Sequence, residues 1–284
     1  DRPVWPQGNN LSKPDNSKKP EGMDWDLWVG PEKNNGYIPG LHAFDWRGYW
    51  DYGTGSLGDM GCHLMDVPIK ALGLYDPYSV EASISRLPYV RSYTPADVSS
   101  SSVPASSIVT YRFNPSKLND SKVKFTWMDG GLRPSQPDQI KEDIGVGGIL
   151  IYGEKGIISC NDYGTRAKLY IDGEVVETGQ FDGIPSNSFN HYTSWVEAMV
   201  DGYGSDKHKN LNSGFDVAGP ISEVVLLGNV AVRSGLLKSH QEVMCLLGEK
   251  DLITIVKTWL LQTLIKLINF SQESTEKVGS LIFN

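Results

Sequence analysis

Between Val80 and Trp127, apolar and polar residues alternate with a period of two, in runs too short for helices. Val80 to Ser85, Ser107 to Phe113 and Lys122 to Trp127 each read as a half-buried strand. Gly148 to Tyr152 and Gly156 to Cys160 follow, and Gly153-Glu154-Lys155 joins them as a hairpin. Lys168 to Ile171 and Glu174 to Glu177 flank Asp172-Gly173, the strongest short hairpin signal in the chain. Ser92 to Ser107 is a Ser/Pro-rich connection without a pattern of its own.

Helical periodicity brackets these strands. Ser56 to Leu72 sets Leu57, Met60, Leu64 and Val67 near one face, and Gly73 stops it. Phe189 to Val200 gathers Tyr192, Trp195, Val196 and Met199. Phe215 to Val232 carries Val217, Ile221, Val224, Val225 and Leu227, with Gly228 interrupting the stripe. The pattern predicts an α+β fold: an open, largely antiparallel or mixed sheet with helices packed on one face. Residues 1–45, rich in Pro, Gly, Asn and Trp, read as an ordered aromatic loop region that wraps a surface. Residues 46–235 form the α+β domain, and residues 236–284 an atypical tail. In that tail Asp251 to Phe270 is apolar but carries Lys257 and Lys266. It falls short of a membrane span and reads as an amphipathic helix.

The formal net charge of the 284 residues is -8, with no basic cluster to offset it, which argues against nucleic acid and against an anionic membrane as partners. Cys62, Cys160 and Cys245 are far apart and include no C-x-x-C pair, so neither a disulfide framework nor a structural zinc is expected. Free thiols predict a reducing, cytoplasmic location. Asp1 to Asn10 shows no signal-peptide pattern. Export stays open, because the chain begins without an initiating Met.

The densest segment runs from Phe44 to His63. It contains a literal G-x-G-x-x-G at Gly53, Gly55 and Gly58, but neither the apolar strand before it nor the later acidic residue that a dinucleotide site needs. The expectation is a glycine turn feeding a helix, with no cofactor-binding residue assigned. Asp59 and His63 lie at i, i+4, on one helix face. A carboxylate beside an imidazole favours its charged form and orients it, which suits proton transfer near neutral pH. An ordinary surface or core pair is the alternative. A metal would need a further ligand; Asp66 lies one turn on without a cluster around it, so no metal is expected.

Arg2-Pro3-Val4-Trp5-Pro6-Gln7-Gly8, Trp25-Asp26-Leu27-Trp28-Val29-Gly30-Pro31, Trp46-Arg47-Gly48 and Gly58-Asp59-Met60-Gly61-Cys62-His63 resemble the bacterial Gfo/Idh/MocA oxidoreductases. Ser213 to Pro220 and Glu223 to Ala231 resemble the closing helix of that family. The resemblance implies the C-terminal α+β domain, of dihydrodipicolinate-reductase-like fold, in a two-domain enzyme whose N-terminal Rossmann domain binds NAD or NADP. That Rossmann domain would lie before Asp1, so no cofactor is expected on these residues alone and the isolated fragment is expected to be inactive.

The family's D-x-x-x-H falls on Asp59 and His63. His63 is then the acid/base and Asp59 its orienter or a sugar contact. Arg47 and Trp46 are the implied contacts to a sugar or polyol, and His191 is a weaker candidate with capping or core packing as its alternative. The resemblance also implies a homo-oligomer formed through the sheet. An NAD-dependent glycosidase domain and a non-catalytic carbohydrate-binding or oligomerisation module are the competing functions. Beyond Gly235 the family's K-L-x-W-D strand and E-Y-R-x-G-W ending are missing. A frameshift is one account of this, since codons for Glu273 to Ser280 exist that give E-Y-R-E-G-W-K in a shifted frame.

Overall fold

The computed structural model describes residues 6–85, 101–176 and 190–235. The tail, Cys245, Arg2 to Trp5, Glu177, Phe189 and most of the Ser/Pro-rich connection lie outside the described residues, and with them both readings of the tail.

The described elements are α1 (Trp25–Val29), α2 (Gly55–Leu64), α3 (Asp66–Leu72), β1 (Pro77–Ile84), β2 (Ser107–Phe113), β3 (Val123–Met128), β4 (Ile149–Tyr152), β5 (Ile157–Cys160), β6 (Lys168–Ile171), β7 (Glu174–Val176), α4 (His191–Asp201), α5 (Asp206–Lys209) and α6 (Phe215–Ser234). The fold is α+β, as the alternating pattern requires. The strands are divided over two antiparallel sheets, ordered β1-β2-β3 and β4-β5-β6-β7.

In the first sheet the register aligns Val80 with Tyr111 and Phe125, and Ala82 with Val109 and Trp127. These rows share one face because side chains two apart point the same way. α6 covers β1 and β2, and α2 packs beside it. Leu57, Met65, Ile69, Leu74, Val109, Tyr111, Phe113, Ile221, Val224 and Val232 form the buried core between these layers. Each large side chain so buried contributes about 1.5–3 kcal/mol. Gly228, which looks like a defect in the α6 stripe, makes room for the core. A Cβ there would collide with the Tyr111 hydroxyl and with Leu57.

The single helix expected over Ser56 to Leu72 is two, broken at Met65. Pro68 is the cause: it has no N–H to offer the Leu64 carbonyl, and its ring crowds that turn. The helix resumes as Ile69 N–H bonds the Met65 carbonyl at 3.0 Å.

The region before residue 46 is ordered around its own cluster. Trp25, Val29, Tyr37, Ile38, Leu41 and Tyr49 are buried together, with Trp28, Trp46 and Tyr52 against them. Trp25 stacks on Trp28 with ring centroids 4.6 Å apart, and its indole N–H donates to the Gly36 carbonyl at 2.9 Å. α1 is a short helix that the loop reading missed. Asp24 caps it by accepting from Leu27 N–H.

Both expected hairpins form. At Asp172-Gly173 both residues have positive φ, 51° and 82°, the mirror-image turn whose twist matches the strands. The apolar residues grouped on α4 do not enter a core. Tyr192, Trp195, Val196, Met199 and Val200 are exposed, and Ala198 is the buried residue of that helix.

Candidate functional site

The N-terminus of α2 is fixed by residues from three other segments. Its cap residue, Thr54, makes no side-chain cap bond. Instead the buried Gln7 side chain accepts from Ser56 N–H at 2.6 Å and donates to the Pro104 carbonyl at 2.9 Å. From α6, Asn229 donates to the Thr54 carbonyl at 2.7 Å. Gly55 starts the helix with φ +62°, and its missing Cβ leaves space for Val103. Gly53 lies against the backbone of Arg47, where a Cβ would meet the Arg47 carbonyl oxygen at 2.6 Å. The positions of the G-x-G-x-x-G pattern are therefore filled by protein atoms. That turn does not leave the open backbone cradle that a dinucleotide pyrophosphate needs.

Asp59 and His63 project from the same helix face, one turn apart. Asp59, a third exposed at its side chain, pairs with Arg47, whose Nε lies 3.4 Å from Oδ1. The Arg47 guanidinium lies over the rings of Phe44 and Trp46, at 4.3 and 4.5 Å from their centroids, and donates to the Phe44 carbonyl at 3.0 Å. Among the described residues no hydrogen bond joins Asp59 to His63. The structure thus brings Trp46, Arg47 and Asp59 into direct contact, and sets His63 beside them by helix geometry alone.

His63 is exposed, and its ring meets Tyr163 edge-on, with centroids 5.3 Å apart and planes at 68°. Tyr163 comes from the loop between β5 and β6, and the sequence reasoning did not single it out. Asx-type loop chemistry at Asn161 was the signal available, but no local pattern names the partner of such a loop. Phe44 and Gln7 were missed for the same reason.

Neighbouring groups have other duties. Asp66 pairs with Lys70 at 2.9 Å. The Cys62 thiol donates to the Asp59 carbonyl at 3.3 Å. Desolvation, and then the Asp59 and Asp66 carboxylates, push its pKa up, which disfavours the nucleophilic thiolate. His191 opens α4, exposed and in ring contact with Tyr192. The cap of that helix is Asn190, which accepts from Thr193 N–H at 3.0 Å, so neither capping nor the core explains His191. No described contact joins His191 to Arg47, Asp59 or His63.

An α+β domain with a partly exposed Arg–Asp pair beside a histidine on a helix face is the class that these observations define. Residues 4–85 match the family model described as "Oxidoreductase family, C-terminal alpha/beta domain" of Gfo/Idh/MocA. The match supports that domain type for the segment containing Trp46, Arg47, Asp59 and His63. A search of the curated proteins finds no match.

Proposed function

We propose that this chain supplies the substrate-binding and proton-transferring residues of an NAD- or NADP-dependent oxidoreductase acting on a sugar or polyol. The observation that carries the reading is the face of α2 within the matched segment. It presents an exposed His63 next to an Asp59–Arg47 pair that is only partly screened from solvent. A substrate hydroxyl placed at the imidazole gives up its proton as the carbon it belongs to is oxidised, and the reverse reaction returns that proton. Arg47 already points donors at this face, and its guanidinium is held by two rings, so little freedom is lost when it bonds a hydroxyl. Trp46, half-buried, holds the Arg47 guanidinium over its ring and keeps it beside this face.

Only the proton side of the reaction is assigned to these residues. Free thiols at Cys62 and Cys160 support a reducing, cytoplasmic setting. The net charge of -8 supports a small neutral substrate over nucleic acid. Exposed Tyr152 on β4, at the edge of its sheet, supports self-association through that sheet.

The test is oxidation of a panel of sugars and polyols with NAD or NADP by this chain joined to a nucleotide-binding domain, comparing the parent protein with Arg47→Met. The expected result is turnover of at least one polyol, with KM raised about 10-fold in the variant by loss of a charged hydrogen bond. Sugar binding without turnover would instead identify a carbohydrate-binding module.

A further inference from the structure

His63 stands exposed on α2, and Asp59, the residue expected to orient it, is engaged by Arg47. An exposed imidazole on a helix surface samples several rotamers, and a proton-transfer group that does so spends much of its time misdirected. We propose that Tyr163 is a positioning residue for His63, holding the imidazole through an edge-on ring contact. The inference rests on the proposed role of His63 in proton transfer.

The loop that carries Tyr163 is built to hold it in place. The Asn161 side-chain oxygen accepts from Tyr163 N–H at 3.1 Å, from Thr165 N–H at 2.9 Å and from the Thr165 hydroxyl at 3.0 Å. Two backbone bonds close the same loop, Gly164 N–H to the Asn161 carbonyl at 2.9 Å and Asn161 N–H to the Thr165 carbonyl at 3.1 Å. Gly164, with φ +68°, lies directly on Val67, one turn beyond His63, where a Cβ would come within 2.5 Å of a Val67 methyl. The loop is thereby seated on the helical layer, and it lends to α2 a residue from the second sheet. Tyr163 is 65% exposed, so burial does not explain its place. Its contact with His63 is an edge-to-face pair of the kind that adds directional attraction.

The experiment measures His63 in the full chain by NMR, through ring-proton shifts and side-chain couplings. It compares the parent protein with Tyr163→Phe, Tyr163→Leu and Asn161→Ala. Tyr163→Phe should keep both the ring-current shift and a single rotamer. Tyr163→Leu should lose the shift and average the rotamers. Asn161→Ala, which frees the loop without touching either ring, should do the same. Turnover of the chain joined to a nucleotide-binding domain is the second readout: Tyr163→Leu should lower kcat about 10-fold at unchanged KM, and Tyr163→Phe should restore it. A His63 equally ordered in Tyr163→Leu overturns the proposal. So does an ordered loss of kcat that Phe does not rescue. If His63→Ala itself leaves turnover intact, the oxidoreductase reading of His63 fails, and the rotamer result still decides whether Tyr163 holds the ring.

Discussion

The two sheets are both built from short antiparallel strands and have different physical standing. The first is roofed by α2 and α6, and its core takes in residues with no exposure at all, such as Met65, Ile69, Val109, Tyr111 and Val224. Among the described residues the second sheet buries Ile149, Ile157 and Tyr170, and Ile140 joins the last two in a cluster to which no helix contributes. Strand pattern therefore specifies which face is apolar, but the covering layer decides how much that face stabilises. The contrast predicts that the second sheet opens locally at lower cost than the first. The site draws on both, with Asp59 and His63 from the first layer and Tyr163 from the second.

The largest test of this contrast is a pair of truncations. Ile69→Ala should cost about 4 kcal/mol, because a fully enclosed position cannot collapse around the cavity. Ile157→Ala should cost about 2 kcal/mol, because its shallow cluster can close over the gap. Chemical denaturation read by tryptophan fluorescence and far-UV circular dichroism measures both, and equal losses would break the comparison. Gly228→Ala comes next. In an open helix that change stabilises, but here it should cost about 2 kcal/mol by overpacking against Tyr111 and Leu57.

Two carboxylates sharpen the contrast through pH. Asp129, buried beside the first sheet, accepts from Ser107 N–H at 2.7 Å, the Ser107 hydroxyl at 3.0 Å and the Trp127 indole at 2.9 Å. Desolvation outweighs these bonds, and its pKa is raised. The protonated form is then favoured by folding. Its contribution is full below the ordinary carboxylate value and is lost as pH rises through the raised one. Asp129→Asn should flatten that slope in thermal melts, and should cost about 1–3 kcal/mol because an amide N–H then faces other donors.

Glu142, beside the second sheet, behaves oppositely. Hydrogen bonds from Lys168 and then Tyr170 lower its pKa. Its contribution is present above the ordinary value and fades as pH falls through the lowered one. It is exposed, so Lys168→Met should move the Glu142 titration back up by NMR and leave the melting temperature unchanged.

Much of the fold was legible because strand-length runs, alternating in the first sheet and apolar in β4 and β5, stand between turn residues; Ser107–Phe113 and Lys168–Ile171 are bounded to the residue. What alternation lacks is any statement of which strands pair, so the division into two sheets was not readable. Pro68 was readable as a helix breaker and was passed over inside an apolar stripe. The stripe on α4 has helical spacing, yet it lies exposed; spacing reports a face and not what covers it. At the site, Asp59 and His63 could be found because i, i+4 is a local relation. Their contacts, Arg47 and Tyr163, come from a preceding turn and a distant loop, and only tertiary packing brings them in.

If His63 moves the substrate proton, replacing it must slow the chemical step without weakening substrate binding. The direct measurement is steady-state oxidation of a polyol substrate by this chain joined to a nucleotide-binding domain, as parent and as His63→Asn, with NAD or NADP present and the melting temperature checked for both. The account predicts a fall in kcat of about 10²–10⁴-fold at unchanged KM and unchanged stability, the loss expected for a general acid–base group. An unaltered kcat in a folded His63→Asn protein would contradict it.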